Sequence, residues 1–392
     1  MHYIKQCLEP GRIMNYANEI IQKIHLAENG AIPFPKEAPM IELQLTDRCN
    51  LNCFHCHFRN QGDLDLERKW ISKIMNEVRP KAISLAGGGE PTLYPDFANV
   101  LKEIKMAPSS PEIGLISNGV YMPPGDWHKY LSWIRISLYS VLSDSYAGRK
   151  PDFQKKVLDN ISRYMQSDQL KMVGVSLLYY KGNVVDCVRL SLELYKRLLE
   201  SGRSTEYFNL QFKRAFVVND PRSFSREAHI KNLEITPDQE ELNAAVTLKE
   251  KLSKQNPGFG AFLEKCTNYQ QLERLLSTGT GFILEQTAED RPHVENFPHC
   301  YAVLVSRLIT PDGFIYTCPT IAEHRETALA LAHITEPADV INKRLPSYYA
   351  CQEPWCNSRY CRHTLHNEIV EDFITTGKFP VYDDAVLSDP FF

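Results

Sequence analysis

Leu45-Thr46-Asp47-Arg48-Cys49-Asn50-Leu51-Asn52-Cys53-Phe54-His55-Cys56 sets three thiols within eight positions, directly after a short apolar run. Thiolates spaced by three and then two residues can wrap one corner of an iron–sulfur cubane, each on its own iron, so that the fourth iron has no protein ligand. An open coordination position is what a catalytic centre needs and a closed structural site avoids. The competing reading of the same residues is a zinc site completed by His55 or His57.

Outward from this loop, short apolar runs alternate with amphipathic ones. The strand candidates are Ile41–Leu45, Ala82–Ala86, Glu112–Ser117, Trp133–Leu138, Met172–Tyr179 and Tyr207–Phe212. Phe153, Val157, Ile161 and Tyr164 share one face of an intervening helix, and Val188, Leu192, Tyr195 and Leu199 one face of the next. Six β/α units with right-handed crossovers predict an α/β fold, either a partial (β/α)6 TIM-type barrel or a doubly wound sheet. Active-site loops then follow the C-terminal strand ends. The second strand runs into Leu85-Ala86-Gly87-Gly88-Gly89-Glu90-Pro91, where consecutive glycines let backbone approach a ligand and Glu90 offers an acceptor for an ammonium. The third ends in Ile116-Ser117-Asn118-Gly119. Taken singly, each of these segments reads as a tight turn.

In this order on successive strands, the three segments resemble the radical S-adenosylmethionine (SAM) superfamily, whose signature is a C-x3-C-x2-C loop after the first barrel strand. The resemblance favours the partial barrel and implies a [4Fe-4S] cluster on Cys49, Cys53 and Cys56. It implies SAM bound through Gly88, Gly89 and Glu90, with Ser117, Asn118, Ser137 and Ser176 toward the ribose and Leu178 over the adenine. The residue before the third cysteine is usually a larger aromatic packing by the adenine. Here it is His55, whose imidazole can still stack.

After about residue 235 the pattern changes. Thr236 or Asp238 is positioned to cap a helix running to about Asn256, and an irregular stretch follows to His299. Val303–Ile309 and Phe314–Thr317 flank Pro311-Asp312-Gly313, which predicts a β-hairpin. Cys300, the hairpin Gly313 and Cys318, at G-x4-C spacing, resemble the opening of the SPASM or twitch extension of radical SAM enzymes. Cys351, Cys356 and Cys361 follow with C-x4-C-x4-C spacing. This departs from the usual SPASM continuation, so the resemblance implies one auxiliary [4Fe-4S] cluster on four of these five thiols. The alternative is a zinc site of Cys351, Cys356, Cys361 and His363 or His366. The organisation expected is a lead-in arm (1–39), a partial barrel (40–235), a helical or irregular linker (236–299), a small loop-rich auxiliary-cluster domain (300–365) and a tail (366–392).

Composition sets the wider limits. Eleven cysteines in 392 residues with 43% hydrophobic content do not describe a short, core-poor disulfide scaffold, so clustered thiols point to metal in a reducing, cytoplasmic setting. A formal net charge of −4 gives no basic footprint for nucleic acid, and no apolar run reaches membrane-spanning length. The resemblance implies an electron from flavodoxin or ferredoxin, cleavage of SAM to a 5′-deoxyadenosyl radical and hydrogen abstraction from substrate. Residues 1–40 are too short for a leader-binding domain. The expected substrate is therefore a small molecule (sugar, aminocyclitol, nucleoside or amino acid), oxidised or epimerised, with a peptide as the alternative. Cys266 is the candidate hydrogen donor for epimerisation, and Tyr179, Tyr180, Tyr207 and Lys213 are candidate pocket residues. A reading of another class is a non-catalytic metal-binding or electron-transfer protein.

Overall fold

Strand alternation in this chain separates an apolar row from a polar one, and that separation builds the sheet. The computed structural model describes residues 38–53, 55–56, 62–139, 152–215, 234–265, 299–304, 306–318, 321–322, 325–349 and 376. Strands β1 (Met40–Leu43), β2 (Ala82–Leu85), β3 (Glu112–Ser117), β4 (Trp133–Leu138), β5 (Met172–Tyr179) and β6 (Phe208–Arg214) each pair in parallel with the next. Helices α1 (Arg68–Glu77), α2 (Phe97–Lys105), α3 (Asp152–Met165) and α4 (Val184–Ser201) lie in the crossovers.

Leu43, Leu85, Leu115, Ile134 and Val173 are register neighbours across β1–β5, each fully buried. They belong to one core with Ile71 and Ile74 of α1, Val100 and Ile104 of α2, Val157 and Ile161 of α3, and Leu194 and Leu198 of α4. Burying each such side chain contributes about 1.5–3 kcal/mol, so this face supplies most of the fold's stability. The opposite face behaves differently. Glu42, Ser84, Ile116, Ser137 and Leu178 are only half-buried, although every strand that carries them has two neighbours.

Among the described residues the sheet stays open and is larger than six strands. Its order is β6-β5-β4-β3-β2-β1-β7-β8-β9, with β7 (Ser306–Ile309), β8 (Phe314–Tyr316) and β9 (Ala332–His333). β7 runs parallel to β1, with Glu42 opposite Leu308, and β8 returns antiparallel. The predicted hairpin is present, and it extends the barrel sheet through β7. The physical reason is that β1 would otherwise present an unpaired edge. Helix α5 (Gln239–Gln255) starts at Asp238, whose carboxylate accepts from the Glu241 amide at 3.0 Å. It is followed by α6 (Phe259–Lys265), and α7 (Ala338–Tyr349) closes the described part.

Two expectations are corrected. Leu199, read as part of the buried stripe of α4, is 57% exposed because the core stripe passes through Leu194 and Leu198. Tyr207 precedes β6, at the end away from the loops, where it is 48% exposed with the Arg203 guanidinium 5.2 Å from its ring. It cannot line a pocket at the strands' C-terminal ends.

Candidate active site

Parallel strands place the loops that follow them at one end of the sheet. The cysteine loop after β1, the glycine loop after β2 and Ser117–Gly119 at the end of β3 therefore converge. Backbone ties the first two together: the Gly89 amide donates to the Thr46 carbonyl at 2.7 Å and the Glu90 amide to the Arg48 carbonyl at 2.8 Å. Only glycine allows this approach, since a Cβ at Gly89 would lie 2.1 Å from the Arg48 oxygen. Gly87 and Gly88 sit at φ +76° and +63°, and a Cβ at Gly88 would lie 2.8 Å from the Thr46 oxygen. Arg48 braces the loop from outside, its Nη2 donating to both carboxylate oxygens of Asp65 at 2.8 and 2.7 Å.

Glu90 is the electrostatic centre. It is 3% exposed, and its Oε1 accepts from the Thr92 amide, the Thr92 hydroxyl and the Ser117 hydroxyl, while Oε2 accepts from the Asn118 amide at 2.8 Å. Burial pushes its carboxyl up, and these donors oppose the shift without cancelling it. All four donors are neutral. A buried carboxylate so arranged, with capacity left on Oε2, suits a cationic ligand such as an ammonium.

Ser117 and Asn118, expected near a ribose, are committed here to holding Glu90. Ser117 Oγ also accepts from the Gly119 amide, and Asn118 Oδ1 accepts from the Val120 amide. Asn118 Nδ2 donates to Asn50 Oδ1 at 2.7 Å and stands 4.0 Å from Cys49 Sγ. Ser137 and Ser176 are register partners on β4 and β5, one and two strands beyond β3. Leu178 packs against the pair Cys53 and Tyr139 and so borders the cysteine loop. The His55 ring lies 5.6 Å from that of Tyr139.

Cys49, Cys53 and Cys56 form no disulfide. Desolvation pushes Cys49 up to about 11, and the charges of Glu90, Cys53 and Cys56 add to the effect; bound iron would hold it as thiolate. Among the described residues no three His, Cys, Asp or Glu side chains gather as around a single ion. Three thiols on one loop beside a buried carboxylate fit an iron–sulfur cluster with an amino-bearing ligand next to it.

Cys300 and Cys318 form no disulfide and are half-buried, packed against the core at the two ends of the β7–β8 segment. Cys266, Cys351, Cys356 and Cys361 lie outside the described residues. Cys187 is buried within α4, where desolvation raises its thiol strongly, as for an inert packing residue.

One constellation was missed from sequence. Asp47, two residues before Cys49, is buried and ion-paired to Arg325, which also reaches Asp312 at 3.1 Å. Its members are 278 and 13 residues apart, so no local spacing announces it. The polar alternation of β4 and β6 (Arg135 and Ser137, Asn209 and Gln211) was readable and passed over.

No family model matches the chain. It is 28% identical over 169 residues to GTP 3′,8-cyclase of Clostridium acetobutylicum, covering 39% of this chain and 52% of that protein. It is 33% identical over 93 residues to the probable GTP 3′,8-cyclase of Pyrococcus abyssi, covering 22% and 29%. The chain thus spans about half, 52%, of the first of these relatives. Streptococcus suis SuiB bound to S-adenosylmethionine aligns with a TM-score of 0.48 and 14% identity over 94% of this chain and 81% of that one. BtrN in complex with AdoMet and 2-DOIA aligns with a TM-score of 0.34 and 8% identity, covering 88% and 91%. No helix among the described residues is long and apolar enough to cross a membrane.

Proposed function

We propose that the chain is a radical SAM enzyme that removes a hydrogen atom from an unactivated carbon of a small-molecule substrate, with oxidation or epimerisation as the outcome. Cys49, Cys53 and Cys56 would hold the SAM-binding [4Fe-4S] cluster. Glu90 would receive the amino group of SAM, and the glycine backbone at Gly88 and Gly89 would lie against its methionine portion. Bound together, cluster and SAM supply a carbon-centred radical able to abstract hydrogen. The protein's own part is to orient the cofactor, favour the ionised form of Glu90 through its four donors and exclude water behind the glycine loop. Four of Cys300, Cys318, Cys351, Cys356 and Cys361 would carry one auxiliary [4Fe-4S] cluster, and flavodoxin or ferredoxin would deliver the electron.

The observation that carries this reading is the buried Glu90 carboxylate, held by neutral donors alone beside a three-thiol loop. A second reading, a nucleotide substrate, is favoured by the curated relatives, which are named as GTP 3′,8-cyclases. The test is anaerobic reconstitution with iron and sulfide, followed by SAM and dithionite. Formation of 5′-deoxyadenosine, lost in Cys53→Ala, is expected; zinc-only loading or no product overturns the proposal.

A further inference from the structure

One residue past the apolar row on each strand, the side chains turn to the opposite face of the sheet, where Gln44, Arg135 and Asn209 are buried. On β4 and β6 these are Arg135 and Asn209, both register partners of Gly174 on β5. On β1 the equivalent residue is Gln44, whose backbone N–H donates to the Ile309 carbonyl at 2.9 Å and so continues the ladder beyond Leu43. The other members of this row are Ala86 on β2, Ile116 on β3 and Gly174 on β5. Ala86 and Gly174 are small and leave room beside Gln44 and between Arg135 and Asn209.

Gln44 is fully buried, and neither its Oε1 nor its Nε2 has a hydrogen-bond partner. An orphaned buried amide costs free energy that an incoming polar group would recover. It stands with Glu42 against the glycine loop: a Cβ on Gly87 would lie 2.6 Å from Gln44 Nε2 and 2.8 Å from Glu42 Oε1. The next row carries Gln211, buried, 3.5 Å from Ser176. Below, the Trp133 ring lies across Gly114, where a Cβ would come within 1.9 Å of it, and forms a floor.

The face is therefore polar, floored and of mixed charge. Among the described strand residues on this side of β1–β6, Arg135 and Lys213 are cationic and Glu42 and Glu112 are anionic; Glu112 lies at the start of β3, where it is exposed and paired with Lys171, so Glu42 is the carboxylate nearest the loop end. A polyphosphate calls for clustered cations without a carboxylate among them. A zwitterion calls for one group of each sign with amides between.

We propose that this face seats the substrate and takes a compact zwitterion of the amino-acid class, with Arg135 receiving the carboxylate, Glu42 the ammonium, and Gln44 and Asn209 the polar groups between. The inference rests on the reading above that hydrogen abstraction occurs at these strand ends, and it names the substrate class.

The test uses the reconstituted full chain under anaerobic conditions, saturated with SAM so that Glu90 is occupied. Calorimetric titration with each of the twenty common L-amino acids, their N-acetyl derivatives and methyl esters, and GTP is the measurement. At least one amino acid should bind, and blocking either its amine or its carboxylate should weaken it about tenfold or more. Arg135→Lys keeps the charge and loses the two-pronged fork, so it should weaken the same amino acid about tenfold while SAM affinity stays unchanged. Gln44→Leu should weaken it too, and Lys171→Gln, at an exposed ion pair, should not. Binding of GTP in preference to every amino acid, no amino-acid binding, or an equal loss of SAM affinity in Arg135→Lys overturns the inference. SAM cleavage without amino-acid binding defeats this inference alone, whereas amino-acid binding without SAM cleavage defeats the proposed activity and leaves the seat standing.

Discussion

The two cysteine-bearing regions are held in opposite ways. The front loop places Cys49, Cys53 and Cys56 within eight residues, and the bonds that brace it come from nearby chain: Leu64, Asp65 and the Gly89–Glu90 amides. Around Cys300 and Cys318 the bracing comes from far away. β7 is seated on β1, Arg325 reaches back to Asp47, and the Cys300 amide donates to the Tyr349 carbonyl. A site built from local segments closes short loops and can assemble early, whereas one built across the chain must first have the sheet. The Asp47–Arg325–Asp312 chain is where the two regions meet.

That contrast can be broken at several points. The largest effect is expected from Cys53→Ala, which should abolish 5′-deoxyadenosine formation by reconstituted protein, while Cys318→Ala should retain SAM cleavage in the absence of substrate. Equal loss in both variants, measured by chromatography of quenched reactions, would make the two regions one functional unit. Next comes Arg325→Met. It leaves the Asp47 carboxylate buried without its cation, at a cost of about 3–5 kcal/mol in urea unfolding. Adding Asp47→Asn should restore most of this, and a loss that persists in the double variant would mean the guanidinium acts through packing.

Gly89→Ala forces a methyl group against the Arg48 carbonyl, and overpacking of this kind costs about 1–3 kcal/mol. It should also lower iron per chain after reconstitution while leaving the β7–β8 hairpin intact, because the strain falls on the front loop. Normal iron content would show that the loop tolerates a shift. The smallest effect belongs to Asp312→Asn. It removes only the outer partner of Arg325, and a change below about 1 kcal/mol is expected. A larger one would move the weight of the ion chain to the hairpin.

Much of this molecule was legible in its residues because the signals are local. The alternation in Trp133-Ile134-Arg135-Ile136-Ser137-Leu138 is strand periodicity, and β4 spans those residues. Asp238, read as one of two possible caps, caps α5. The order of the cysteine loop, the glycine loop and Ser117–Gly119 on successive strands needed only spacing. Leu199 and Tyr207 were misplaced because periodicity gives a face and not the depth at which that face meets its neighbour.

Determined by the sequence alone were the parallel α/β sheet, the loop end at which chemistry gathers, and the residue types offered there. Tertiary structure decided that β7 completes the edge of β1, that Ser117 and Asn118 serve Glu90, and that Asp47 is neutralised by Arg325. The reason is one of range. Backbone periodicity and turn chemistry act over a few residues, whereas edge pairing and charge burial depend on which distant segments the collapsed chain brings into contact.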